Sequence, residues 1–301
     1  MNPISQLEDD IKSLRVQGAT NVALKVLEGL NIAQDVLKEQ KNPEPHIFLL
    51  EHVIRLAFTR PTEALAQNAV RFIFQKKQFP QDYLKLADQY KKMISETQDK
   101  VVKSGANLIE TGSVYLTHCH SSSVTGIFLE AAKQGKKFKI LVTETRPLFQ
   151  GRRTANELLN AGLTNITMIV DSVAPVLLLA NSLNITAILV GSDLLSEKGF
   201  VNKIGTAGIA FISHQKNIPL HCCGTLLKYD PRPYSDDLIE TRSGTEIWPD
   251  FPENLKFLSP AFDFTPYYEN ISIVTEAGIL KGNQIKGKAL SHYPFLTSNL
   301  L

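Results

Sequence analysis

The chain has 301 residues, 43% of them hydrophobic and 21% charged, and a formal net charge of +2. That composition suits one large or two ordinary globular domains with ample apolar surface for a core. A net charge so small argues against nucleic acid or an anionic membrane as the main partner. No stretch approaches the roughly 18 uncharged apolar residues of a membrane-spanning helix.

The cysteines are Cys119, Cys222 and Cys223. An odd, small number in a long chain argues against a disulfide framework. With no C-x-x-C pair, a thiolate zinc site is not expected. The opening run MNPISQLEDDIKSLRVQ is charged within a few residues and has no secretory or transit-peptide character, so a cytoplasmic location is expected.

The first hundred or so residues read as helices. Ile4, Leu7, Ile11 and Leu14 recur at helical spacing, and Val22, Val26, Leu30, Ala33 and Leu37 continue the pattern after Gly18. A third helix is expected over Phe48–Leu56, a fourth with Pro61 at its start, and a fifth from Tyr83 through Ile94 and beyond. From about Ser113 the texture changes. Short apolar runs at Ser113–Cys119, Phe138–Glu144, Ile166–Asp171, Ile185–Asp193 and Ile218–Cys223 read as strands buried on both faces. Helical segments at Val124–Lys133, Ala155–Ala161, Val173–Leu183 and Thr206–His214 separate them. Strand–helix alternation predicts an α/β fold with a mainly parallel, doubly wound sheet. The tail from about Arg242 is rich in Pro and aromatics and holds one more strand candidate, Ile271–Glu276.

In an open parallel sheet, ligands bind beyond the carboxyl ends of the strands. Four strand ends here turn polar where the apolar run stops: Thr117-His118-Cys119-His120-Ser121-Ser122, Thr143-Glu144-Thr145-Arg146-Pro147, Asp171-Ser172 and Gly191-Ser192-Asp193. Cys119 precedes Ser121–Ser123, candidate caps of the next helix, and a helix N-terminus favours a thiolate. The alternative for Cys119 is a small buried hydrophobe. Asp193 ends the most apolar strand, where a carboxyl must be paired or have a raised pKa; the alternative is a helix cap. In Asn202-Lys203-Ile204-Gly205-Thr206, Lys203 could hold a phosphate with the amides of the following helix. Arg60 and Arg146 could each grip a phosphate, or could be ordinary ion-pair partners. Cys222 and Cys223, as strand neighbours, face opposite sides and suit core packing. His118 and His120, if the strand runs that far, project together and away from Cys119. Neither a G-x-G-x-x-G nor a G-x-x-x-x-G-K-[ST] motif is present.

These strand-end sets, with Arg60-Pro61-Thr62, Asn68-Ala69 and Ser259-Pro260-Ala261-Phe262-Asp263-Phe264-Thr265-Pro266, resemble one superfamily over nearly the whole chain. It joins ribose-1,5-bisphosphate isomerase, methylthioribose-1-phosphate isomerase and the regulatory subunits of translation initiation factor 2B. The resemblance implies a helical N-terminal domain (1–105) on a Rossmann-like catalytic domain (106–301). It implies an aldose–ketose isomerase in which Asp193 and Cys119 share the proton transfers; the helix end would favour a thiolate as base, which group takes which proton stays open, and a hydride shift is an alternative. The tract His118-Cys119-His120-Ser121-Ser122 is closest to the ribose-bisphosphate branch, so ribose 1,5-bisphosphate to ribulose 1,5-bisphosphate is the expected reaction. A non-catalytic factor-2B-like subunit and a methylthioribose-1-phosphate isomerase are the alternatives. Gly18, Ala19, Arg60, Ser121, Ser122, Arg146, Asn202 and Lys203 are the implied substrate-binding residues. Gln17-Gly18-Ala19 stands where the family motif is Arg-Gly-Ala, with Arg15 as the nearest substitute cation. The resemblance implies no metal or organic cofactor, closure of the helical domain over the cleft, and homodimers or homohexamers built through the C-terminal domain.

Overall fold

The computed structural model describes residues 3–39, 42–76 and 79–298. Five helices come first: α1 (Pro3–Lys12), α2 (Ala19–Glu39), α3 (Pro45–Ala57), α4 (Ala64–Phe74) and α5 (Pro80–Ala106). Their apolar stripes bury Ile4, Leu7 and Ile11 of α1 against Val22, Val26 and Leu30 of α2. Pro45 and Pro80 sit in the first turns of α3 and α5, where an amide is not needed.

Two expectations shift here. Leu14 lies beyond α1 in a left-handed conformation (φ 61°). Pro61 precedes α4 instead of opening it: the Glu63 amide donates to the Arg60 carbonyl at 3.3 Å, closing a turn that puts Glu63 at the cap position. Helix α5 runs unbroken for 27 residues.

The strands are β1 (Val114–His118), β2 (Lys139–Thr143), β3 (Ile166–Ile169), β4 (Ile185–Val190), β5 (Leu194–Leu195), β6 (Gly199–Lys203), β7 (Leu220–Cys223), β8 (Phe262–Pro266), β9 (Ile271–Thr275) and β10 (Gly278–Leu280). Helices α6 (Ser122–Lys133), α7 (Gln150–Asn160), α8 (Val173–Ala180), α9 (Thr206–Gln215) and α10 (Ile285–His292) complete the regular elements. Seven strands form one sheet in the order β10-β9-β7-β4-β1-β2-β3, parallel except for the β9–β10 hairpin. The mixed α/β architecture with a mainly parallel sheet is as expected. The outermost strand β3 is the exception to two-sided burial, with Met168 exposed, since no neighbour lies beyond it.

The order of winding decides where a ligand can sit. From β1 the chain steps outward through β2 and β3, then returns to β4 on the other side of β1 and continues to β7 and β9. The helices leaving β1 and β4 therefore diverge, and a crevice opens at their carboxyl ends. Immediately after β4, the chain makes a second sheet that the sequence pattern did not announce: β5, β6 and β8, all antiparallel.

The apolar interior is continuous across the two halves. One cluster combines α1–α5 with Leu116, Leu141, Ile188 and Cys222; the opposite sheet face contributes Tyr115, Ile140, Leu189 and Cys223 to a second. The neighbours Cys222 and Cys223 thus point to opposite faces, as strand geometry requires. Asn68 of α4 ties the halves together by donating to the carbonyls of Leu227 and Tyr229 at 2.7 and 2.8 Å. Among the described residues, no helix is long and apolar enough to cross a membrane.

Candidate active site

The crevice at the β1/β4 switch point opens into a cavity of about 190 Å³. Cys119 enters it from the end of β1. The strand stops at His118, and Cys119 turns left-handed (φ 68°). A non-glycine residue pays about 1–2 kcal/mol for that conformation, so the surroundings must impose it. They do: the Cys119 amide donates to Thr145 Oγ1 at 3.0 Å, and Thr154 Oγ1 donates to its carbonyl at 3.2 Å. Asp171 in turn fixes Thr145, accepting the amides of Thr145 and Arg146 at 2.7 Å each. The polar ends of β2 and β3 are therefore the scaffold of the Cys119 turn.

This turn also parts the two histidines. His118 is buried between Thr143 Oγ1 (2.7 Å) and the Ile204 carbonyl (2.9 Å), while His120 lines the cavity with its Nδ1 3.1 Å from Thr154 Oγ1. They do not project together, because strand alternation ends at His118. Burial lowers the pKa of both.

Asp193 reaches the same cavity from the end of β4, where Gly191 lets the backbone pass close to Ser121. A Cβ at Gly191 would lie 2.7 Å from Ser121 Cβ. The Asp193 amide donates to the Val201 carbonyl at 2.9 Å, which starts the β5–β6 hairpin and carries Asn202 and Lys203 back to the wall. Asn202 donates to Thr206 Oγ1 at 3.0 Å. Lys203 is buried, and its Nζ has no hydrogen-bond or ion-pair partner among the described residues; it lies 5.9 Å from the Phe262 ring centroid.

Burial pushes the Cys119 thiol up to about 12, with the charge of Asp193 adding to the shift and Lys203 opposing it. The expected preformed thiolate is thus overturned. The cap of α6 is Ser121, two residues on, and the helix end does not outweigh burial beside a carboxyl. Asp193 is raised too, by burial, against the pull of Lys228, Arg60 and Lys203. Both groups hold their protons more tightly than usual. Lys203 is lowered by burial and held back by Cys119 and Asp193.

Two helix N-termini face the cavity. Ser121 caps α6, and Ser122 follows it on the lining. Gly18, at φ 86° where an L side chain is strained, turns the chain into α2, so that Gly18 and Ala19 line the opposite wall. The first amides of each helix are those that helical bonding leaves unpaired. The start of α9 is different. Asp263 accepts the amides of Gly205 (2.7 Å) and Ala207 (3.1 Å), so the amides expected to help Lys203 are already taken.

Arg60 lines the cavity but is not free. It is buried, with Glu63 at 2.6 Å, Glu240 at 3.1 Å and the Phe262 ring centroid at 5.5 Å. Arg146 is outside the site; it is exposed, donating to the Ile247 carbonyl at 3.1 Å and lying over Phe149. Its amide, not its guanidinium, serves the Cys119 scaffold. Arg15 pairs with Asp10 at 2.6 Å and does not line the cavity; Arg153 of α7 does. Sequence reading missed Glu63, Arg153, Lys228, Glu240 and Arg242, all on the lining. Lys228 carried a faint signal, a lysine inside the apolar run Leu226-Leu227-Lys228-Tyr229. It is buried and donates to the Ser192 carbonyl at 2.5 Å. Glu240 and Arg242 lie in an irregular segment that no periodicity marks. Among the described residues, no group of three or more His, Cys, Asp and Glu is placed to hold a metal ion.

Residues 15–282 match the model of the initiation factor 2 subunit family. The chain belongs to this family. Ribose 1,5-bisphosphate isomerase of Pyrococcus furiosus is 31% identical over 299 residues, covering 92% of this chain and 90% of that protein. Methylthioribose-1-phosphate isomerase of Dehalococcoides mccartyi is 30% identical over 305 residues, covering 93% and 90%. The crystal structure of translation initiation factor eIF-2B subunit delta from A. fulgidus superposes with a TM-score of 0.70 at 27% identity, covering 97% of this chain and 92% of that one. With isomerases among its relatives over nine-tenths of its length, this member of the family is an enzyme, an aldose–ketose isomerase.

Proposed function

We propose that this isomerase acts on a sugar 1-phosphate, converting ribose 1,5-bisphosphate to ribulose 1,5-bisphosphate with Asp193 and Cys119 as its proton-transfer pair. The reading is supported above all by one observation: the thiol ending β1 and the carboxyl ending β4 line a single cavity with cations and helix N-termini on its walls. The relatives named ribose 1,5-bisphosphate isomerase support the choice of substrate. A bisphosphate needs anion-holding groups on two sides. Lys203, Lys228, Arg153 and the starts of α6 and α2, all on the lining, offer such groups.

The phosphate on C1 blocks simple hemiacetal opening, so the ring oxygen must be protonated as the C1–O4 bond breaks. Asp193 gives that proton, since a carboxyl kept neutral by burial is an acid ready to act. The resulting carboxylate takes the proton from C2, leaving an enol across C1 and C2. Cys119, still protonated, delivers a proton to C1 and recovers one from the C2 hydroxyl, which becomes the ketone. Both groups return to their starting forms. Lys203, which interacts with both through charge, offsets charge that builds on the C2 oxygen as its proton leaves.

Cys119→Ser and Asp193→Asn should each cut turnover of ribose 1,5-bisphosphate by at least about 100-fold. Wild-type turnover in both variants would remove the pair from the mechanism. The likeness to the A. fulgidus initiation-factor subunit marks the outcome that would overturn this substrate, binding without turnover. Thermal stabilisation by ribose 1,5-bisphosphate with no ribulose 1,5-bisphosphate formed would establish that outcome instead. Conversion of methylthioribose 1-phosphate in its place would reassign the substrate. As in the resemblance, the working form is proposed to be a homodimer or homohexamer joined through the C-terminal half.

A further inference from the structure

Glu63 is an odd residue to find where it is. It occupies the cap position of α4, yet its side chain caps no amide. It is 1% exposed and lies on the cavity lining. Oε1 comes within 2.6 Å of Arg60 Nη1, but off the hydrogen-bond axis, and neither carboxyl oxygen receives a hydrogen bond. A buried carboxylate with no donor is costly to keep ionised.

Its charged surroundings come from its own turn and three further segments. Arg60 faces it from the same turn, Asp193 from the end of β4, Lys228 from the 226–228 turn and Glu240 from the loop before β8. Arg60 is shared, because Glu240 Oε1 accepts from its Nη2 at 3.1 Å. So three carboxyls meet two cations. An anion entering this cavity adds negative charge beside these carboxyls, and it competes for Arg60 and Lys228. The carboxyl least supported by hydrogen bonds is then the one to be neutralised.

We propose that Glu63 is a positioning residue that holds Arg60 in the empty cavity and takes up a proton when an anionic group binds there. The inference rests on the anion-binding reading of the cavity, not on the identity of the sugar. Burial, reinforced by Asp193 and Glu240 and opposed by Arg60 and Lys228, raises the Glu63 carboxyl to about 7, so its proton can be exchanged near neutrality. It then releases Arg60 to the ligand without leaving a bare charge in the wall.

The probe is inorganic sulfate, which carries no titratable proton near neutrality. Calorimetric titration at about pH 7 in two buffers of unlike ionisation enthalpy reads the protons taken up. A carboxyl at about 7 that becomes fully protonated takes up about half a proton per site. Wild-type protein should show that uptake, and its sulfate affinity should fall as pH rises from about 6 to 8.5. Glu63→Gln should bind sulfate with the uptake lost, whereas Glu240→Gln should keep it. Unchanged uptake in Glu63→Gln overturns the proposal and assigns the proton elsewhere. If that variant does not fold, a pH-independent wild-type affinity overturns it equally. Absence of sulfate binding at any pH removes the anion-site reading itself, and the proposal with it.

Discussion

Cys119 sits at φ 68° because Thr145 and Thr154 hold both ends of its peptide unit. The turn aims the thiol at the cavity, and the same burial that aims it keeps it protonated. This fixes the sign of the pH dependence. An acid whose pKa is raised works below that pKa and fails above it. If Asp193 must start protonated, kcat/KM should hold steady at low pH and fall about tenfold per unit once pH passes the raised Asp193 value. A thiolate base would give the opposite, a rate still rising with pH through neutrality. Rate measurements across that range separate the two, and a rising limb would reject the proton order argued here. At this scale the sequence was informative wherever chemistry stood at a strand end. Cys119, Ser121 and Asp193 could be placed because an apolar run stopped at them. Glu63 and Lys228 could not, since nothing local says that a charged side chain on a helix-leading turn or in an apolar stretch will face a cavity built from distant segments.

Helix α4 has two tasks. One side packs Leu65, Ala69 and Val70 into the main core, and Asn68 reaches across to the carbonyls flanking Lys228. The same Asn68 accepts from Arg71 Nη1 at 2.9 Å, so all its polar atoms are engaged in a buried setting. Replacing it by Leu strands two buried carbonyls and one guanidinium donor, each worth about 1–3 kcal/mol if left unsatisfied. Asn68→Leu should therefore lower unfolding stability by about 3 kcal/mol or more, seen as a lower urea midpoint. It should also reduce kcat/KM, because Lys228 lies between the two released carbonyls. A stable variant with wild-type kinetics would show that this contact does not position Lys228. The elements themselves were mostly visible from periodicity, since long amphipathic helices and buried parallel strands have clear patterns. The β5–β6–β8 sheet was not. A two-residue strand such as Leu194–Leu195 has no period to read, and its pairing with β6 and that of β6 with β8 arise from the hairpin after Asp193 and a return from far along the chain.

Over the whole molecule, the parallel sheet is covered unevenly. The side covered by α8 and α9 leaves Val176, Leu179 and Phe211 between 52% and 60% exposed. Helix α8, VAPVLLLA, is apolar around its whole circumference but buries only Ala174 and Leu178. A helix apolar on all sides is made to be covered on all sides, and a patch contributed by neighbouring elements marks an interaction face. The occupant argued for is a second copy of the chain, because the resemblance that implies the catalytic pair also implies assembly through this half. In a twofold dimer the same residues meet their equivalents, so one change alters both sides of the contact. Leu179→Glu would place two carboxylates in a surface that should be dry, at a cost of about 3–5 kcal/mol, or roughly 150- to 5000-fold in dimer affinity. Since Leu179 is 52% exposed in the single chain, the fold itself should survive. Sedimentation at micromolar concentration should find the unmodified protein as a dimer or a multiple of one, and Leu179→Glu shifted to monomer with unchanged circular dichroism. An unmodified protein that sediments as a monomer would leave this face without the partner assigned to it. The cavity, lined by residues of one chain, should then keep its ligand binding, which tells the assembly apart from the chemistry.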